Sequence, residues 1–428
     1  MFDVLPLPYI FALNTSATSP FQIIGADNNA KLGTGVVDPN VSFDPQTVRN
    51  RFVEQNPKRA DVLNWNINVQ RQLATNLTLQ VGYIGSRSIH LSETADDINL
   101  VQPSLVNGVG YVFPLNGTKV NPNWGGGAGI RPTIFDASSH YNAMQTQLKK
   151  SFSRGLQAQG SYTYGKCIDR GSSPIAGDTY LNSIAVPLLL VPSTRSGPCD
   201  YDIRQIFSGN FIWEIPSIKS SKLASAITGG WELGSIVTRT SGAPFTVTVG
   251  GGNDPLNTGF NGDFSMAFAN LISGCNPING GVNYLNTNCF TPPVAPSSLA
   301  PATAANPLGC IANTFTKYTL PAPPGQQFCT NVLGNSGRNS LYGPGLATWD
   351  MSLYRNFHVT RISEAFNVQF RAEFFNLLNH TNFLSPGFLN TFGQNNSVFN
   401  ADGSALPTAL NQTSTSSRQI QFGLKLVW

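Results

Sequence analysis

The sequence predicts an all-β chain: an antiparallel transmembrane β-barrel segment of about nine strands, an incomplete barrel with long extracellular loops. Three observations predict it. Apolar and polar residues alternate over stretches of about ten positions. Short turns and long connections take turns along the chain. Only 11% of the 428 residues are charged, against roughly 25% in an average soluble domain.

The strands can be taken in order. Trp65, Ile67 and Val69 alternate with Asn66, Asn68 and Gln70; after a turn at 74–76, Leu77, Leu79, Val81 and Tyr83 alternate with Thr78, Gln80 and Gly82. This predicts a hairpin. A second hairpin joins 141–152 to 156–166 across 153–155, a third pairs 203–215 with 231–241, and a fourth pairs 349–357 with 366–377. In a ninth strand Ile420, Phe422, Leu424, Leu426 and Trp428 alternate with Gln421, Gly423, Lys425 and Val427. Between the hairpins lie connections at 92–139, 167–202, 245–346 and 379–417, rich in Gly, Pro, Asn and Ser. Such lengths are uncommon in compact soluble domains. Outer-membrane barrels, by contrast, put short turns in the periplasm and long loops outside. Counting back from a periplasmic Trp428 makes all four long connections extracellular and leaves an odd strand number, so at least one strand is expected to be missing. Residues 1–60 read as an extracellular loop region, and 61–428 as the barrel portion with no plug domain. Aromatic residues such as Trp65, Trp213, Trp231, Trp349 and Phe357 fall toward strand ends, where interfacial girdles belong. A soluble β-sandwich also alternates, and alternation alone leaves that alternative open.

No apolar run approaches the roughly 20 residues of a spanning helix. A net charge of +4 with no concentrated basic patch gives no support for nucleic-acid binding. The six cysteines, Cys167, Cys199, Cys275, Cys289, Cys310 and Cys329, lie in or beside loops without metal-ligand spacing. They read as disulfide candidates in an oxidising compartment rather than zinc ligands. Cys167 and Cys199 flank neighbouring strands and are expected to pair, with Cys275–Cys289 and Cys310–Cys329 as the remaining pairs. His90, His140, His358 and His380 are scattered, so no catalytic, cofactor-binding or metal site can be drawn, and no enzyme is expected. Asp200 and Asp202 precede a strand and read as solvated interfacial carboxylates rather than an acid–base pair. Asp254, Asn257, Asn261 and Asp263 are candidates for calcium, but their spacing is not that of an EF-hand and a polar loop is the plainer reading. The glycines at 125–127 and 250–252 lack the Lys and Ser/Thr of a phosphate loop.

Six segments, 64–91, 141–169, 202–216, 230–245, 337–357 and 370–383, resemble the C-terminal barrel of the large TonB-dependent receptors that carry an N-terminal carboxypeptidase regulatory-like domain. The most specific is FRAEFFNLLNHTNF at 370–383, with Arg371, Glu373, Phe375, Asn376, Asn379 and Phe383, followed by the strand ending in Trp428. The resemblance implies part of an outer-membrane transporter with a barrel of about 22 strands filled by a plug. It implies import of a large or scarce nutrient, energised by the TonB complex. These 428 residues show no plug, TonB box or regulatory domain, so contact with TonB is expected through an N-terminal part outside them. It also implies that the strand from Ile420 to Trp428 is the signal read by the barrel assembly machinery, and that Arg371 and Glu373 play a structural role, paired with each other or with neighbours. Outer-membrane lipid is the expected surrounding. The runner-up is a surface adhesin or glycan-binding β protein without transport; an outer-membrane hydrolase is a weaker third class.

Overall fold

The computed structural model describes residues 13–16, 19–23, 50–94, 98–123, 130–172, 191–249, 256, 268–312, 315–358, 366–384, 397–400 and 402–427. Trp428, the 254–263 oxygen cluster and both glycine runs lie outside the described residues.

Nine strands form the body of the molecule: β1 (Asp61–Ala74), β2 (Leu77–Thr94), β3 (Ile130–Ser153), β4 (Leu156–Asp169), β5 (Gln205–Glu214), β6 (Trp231–Thr240), β7 (Leu346–His358), β8 (Asn367–Phe375) and β9 (Gln419–Val427). They hydrogen-bond in plain sequence order, every neighbour antiparallel, as one open meander. Two short pieces join this sheet: Asn50–Val53 runs parallel to the start of β3, and Gly197–Pro198 pairs with the end of β4. Among the described residues nothing pairs with the outer edge of β1 or of β9, so the barrel is not closed. The β3–β4 reversal is chemically simple. Arg154 and Gly155 both take positive φ, 51° and 76°, the geometry of a two-residue turn whose twist matches the flanking strands.

The pairing register sorts the side chains of all nine strands onto two faces. One carries Trp65, Ile67, Val69, Leu79, Val81, Tyr83, Met144, Leu148, Ala158, Tyr162, Phe211, Trp213, Leu233, Val237, Leu353, Phe370, Phe422 and Leu424. The other is rich in amides and hydroxyls: Asn66, Asn68, Gln70, Gln80, Gln145, Gln147, Gln157, Gln159, Thr163, Ser208, Asn210, Ser352, Asn356 and Gln369. Both faces are open in the unclosed sheet, and the apolar one is as exposed as the polar one. Ile67, Val69, Phe422 and Leu424 are each about two-thirds exposed, at 66%, 65%, 68% and 67%. A soluble sheet would bury such a face; a sheet in lipid leaves it outermost, because hydrocarbon solvates it. β3, with 24 residues, spans roughly 80 Å at strand rise, so its loop-side half projects beyond the membrane.

The buried core lies in the long connections rather than between strands. Leu100, Val101 and Phe113 from the β2–β3 connection meet Val191 from the β4–β5 connection. Phe245, Val247, Phe290, Phe315 and Leu341 come from the β6–β7 connection, and Val398, Phe399 and Leu410 from the β8–β9 connection. All four long connections thus share one apolar cluster. Short pairings hold it: Pro244–Phe245 closes the β6–β7 connection on its own Leu341–Tyr342, and Thr248–Val249 runs parallel to Ser397–Phe399 of the β8–β9 connection. Disulfides join Cys167 to Cys199, Cys275 to Cys289 and Cys310 to Cys329. The long connections are therefore a folded cap over one end of the sheet.

Candidate functional site

The seam between strand ends and cap is ionic and buried. Arg338, at zero side-chain exposure, donates to the Asp169 carboxylate at the end of β4 and to the carbonyls of Asp169 (3.0 Å), Gly197 (3.2 Å) and Arg195 (2.8 Å). It also lies 3.6 Å from Asp200 Oδ1. The adjacent Asn339 donates from Nδ2 to Asp200 Oδ1 at 2.7 Å and to Pro198 O at 2.8 Å. The single helical turn Pro192–Arg195 presents Arg195 to the Glu93 carboxyl, which burial pushes up to about 9, and, at 3.1 Å and 3.2 Å, to both Asp136 oxygens. Thus β2, β3, β4 and three cap segments meet through two buried guanidinium groups, each with more than one acceptor.

Asp202 completes the seam. Its Oδ1 accepts the Cys167 amide at 2.6 Å, while Oδ2 accepts the Tyr342 hydroxyl at 2.7 Å and Arg204 Nε at 2.8 Å. Burial and the Asp202 carboxylate hold the Tyr342 phenol above its ordinary range, so it stays a donor. Burial pushes Asp200 up to about 6, against the opposing pull of Arg338 and Asn339. The reading of Asp200 and Asp202 as solvated interfacial groups is therefore corrected: they are 1% and 3% exposed. Arg338, Asn339 and Tyr342 reach them from the distant β6–β7 connection.

The 370–383 motif forms a polar corner where β8 leaves the sheet. Asn376, 5% exposed and at φ +50°, donates to His380 O (3.0 Å) and Ser416 O (3.1 Å) and accepts the His380 amide (2.9 Å). Asn379 accepts the Arg418 amide at 2.9 Å, just before β9 begins. Asn382, also a fixed position of the motif, accepts Ala347 N–H and donates to Ala347 O and Thr415 Oγ1. Phe383 packs on the cap core and bridges Thr413. Arg371 and Glu373 both lie on the amide-rich face, with Phe375 beyond them; Arg371 Nε donates to Gln369 Oε1 at 2.7 Å, and no ion pair joins it to Glu373 among the described residues. In β9, Ile420, Phe422, Leu424 and Leu426 point to the apolar face in unbroken register with β8.

Among the described residues no three His, Cys, Asp or Glu side chains gather as a metal site. What the arrangement can do chemically is hold a rigid polar lid on a sheet with one lipid face and one hydrogen-bonding face. Arg195, Arg338, Glu93, Asp136 and Asp169 were missed in the sequence. Their signal was scarcity: in a chain only 11% charged, carboxylates and arginines inside Gly- and Pro-rich loops call for partners.

No curated protein sequence matches the chain. Among solved structures it is similar to the outer membrane transporter YddB from Escherichia coli, at 9% identity, covering 89% of this chain and 34% of that one with a TM-score of 0.37. It is also similar to the closed form of the ferric-catecholate import receptor Fiu from E. coli K12, at 12% identity, 74% and 32% coverage and a TM-score of 0.23. The chain thus spans about a third of the length of each, 34% and 32%. Residues 6–421 match the outer membrane beta barrel domain; this chain belongs to that family and is a protein of the bacterial outer membrane.

Proposed function

We propose that this chain forms part of the wall and the extracellular cap of a TonB-dependent outer-membrane transporter importing a large or scarce nutrient, and that it is not an enzyme. One observation carries the reading: a nine-strand apolar belt backed by an amide-rich face and covered at the loop end by a cap with its own core. Amides and hydroxyls offer hydrogen bonds to a polar solute or a plug without the strong fixed field that a ring of charge would impose. The edges of β1 and β9 support the same reading. Each unsatisfied backbone group in lipid costs several kcal/mol, so both edges are paired in the membrane.

The test is uptake by cells carrying the complete gene product. Solute accumulation should be lost when TonB is deleted and when the proton gradient is collapsed. The runner-up, a surface adhesin or glycan-binding protein, is favoured by the cap being a folded body rather than a set of free loops. Surface binding of glycan that survives both treatments, with no internal accumulation, would choose that second reading and sink the first.

A further inference from the structure

We propose that the short helix on the turn between β5 and β6, α1 (Lys222–Thr228), is an interfacial anchor lying in the headgroup region of the lipid leaflet at the short-turn end of the sheet. The proposal rests on the apolar face being the lipid face. Ser221 caps the helix, its Oγ accepting Ala224 N–H at 3.0 Å. Thr228 Oγ1 donates to Ala224 O at 2.7 Å and accepts Ile218 N–H at 2.9 Å, drawing the incoming segment against the helix. This folded turn leaves Ile218, Leu223 and Ile227 exposed by 56%, 70% and 60%. Leu223 and Ile227, four residues apart, share one side of the helix.

The side of the wall on which the helix hangs is set by two hydrogen bonds. Ile227 O accepts Trp231 Nε1 at 2.9 Å and Arg355 Nη1 at 2.8 Å. Trp231 and Arg355 stand opposite one another in the β6–β7 register and on the apolar face. Trp231 meets Phe370 edge-on at 6.1 Å, and Phe370 stacks on Phe422 at 6.4 Å. The Arg355 guanidinium lies 5.5 Å from the Trp231 ring and 4.3 Å from that of Phe357. The helix end is therefore tied to the aromatic border of the belt, and its exposed aliphatics continue that belt past the strand ends. Exposed Lys219 stands beside Ile218, just ahead of the helix. An exposed basic residue next to an apolar helix side matches a lipid surface with anionic headgroups, where such helices lie in the interface plane.

The test uses the assembled full-length protein in vesicles of phosphatidylethanolamine and phosphatidylglycerol. An environment-sensitive fluorophore is attached in turn at Leu223→Cys, Ile227→Cys, Ser220→Cys and Leu353→Cys; the native cysteines are all disulfide-bonded. Quenchers are a nitroxide on the lipid headgroup, a nitroxide on the acyl chain, and a water-soluble ion. Labels at 223 and 227 should lose most of their emission to the headgroup nitroxide and little to the ion. The label at 220 should show the opposite, and that at 353 should respond to the acyl-chain nitroxide. If 353 responds as stated but 223 and 227 are quenched from water, the helix is a solvated turn and the anchor is overturned, with the lipid belt intact. Shielding of 223 and 227 from all quenchers would mean that a protein, or a second copy, covers them, and overturns it equally. A label at 353 that no lipid quencher reaches would overturn belt and anchor together.

Discussion

Arg338 donates to one carboxylate and three carbonyls with no exposure of its side chain. Arg338→Ala would leave Asp169 buried without its cation, and breaking a buried pair from one side costs about 3–5 kcal/mol. The expected outcome is a lower denaturation midpoint for the cap, with Arg338→Lys restoring only part because an ammonium cannot reproduce the fork. An unchanged midpoint would mean that water reaches Asp169. Asp200 supplies a pH test. Its folded value of about 6 lies above the ordinary 3.8, so the cap favours the neutral acid. That contribution is full below the ordinary value and is lost as pH rises through the folded one. Asp200→Asn should flatten the fall in cap stability between about pH 4 and 6, measured as denaturant midpoint against pH. A slope equal to that of the unmodified protein would assign the titration elsewhere. Neither residue's role was legible in sequence: Asn339 and Tyr342 reach Asp200 and Asp202 from 139 and 140 residues away, and no local pattern encodes such a meeting.

Strands are where local pattern and tertiary outcome agree most closely, since side chains alternate by backbone geometry alone. Alternation from 420 to 426 predicts one lipid face, and β9 pairs with β8 so that Leu424 stands opposite Phe370 while Lys425 stands opposite Gln369. The two positions should therefore answer charge changes differently. Leu424→Arg puts a cation in lipid, at about 2–4 kcal/mol near the midplane, and should reduce the heat-modifiable folded band in membrane fractions. Lys425→Gln should leave that band intact. Equal tolerance of both would contradict a lipid face on β9. Strand ends were less legible. β3 begins at Ile130, well before the alternating stretch from 141, because its early part is held by Asn50–Val53 and by β2 rather than by its own periodicity.

At the scale of the whole molecule, cap and sheet are joined by the Cys167–Cys199 bond and the ionic seam. The bond closes a 32-residue separation, which chain entropy values at about 3–4 kcal/mol. Replacing both residues with Ser should loosen the cap, seen as faster proteolysis of the β4–β5 connection, while the membrane sheet persists; equal protease resistance would show that the seam suffices. Orientation is tested by labelling intact cells: Leu105→Cys, on a cap hairpin and 71% exposed, should react from outside, and Thr75→Cys, on a short turn, only after permeabilisation. The reverse pattern would invert the topology. The nine strands, their antiparallel order and their two faces were legible in local sequence, because period-two alternation and turn chemistry act between near neighbours. That the long connections form a cap with a shared core emerges from long-range packing alone. Leu100, Val191, Phe290 and Val398 carry no common periodicity; they become a core because the meander brings four loop bases to one rim, where burying their apolar surface outweighs the entropy of ordering them.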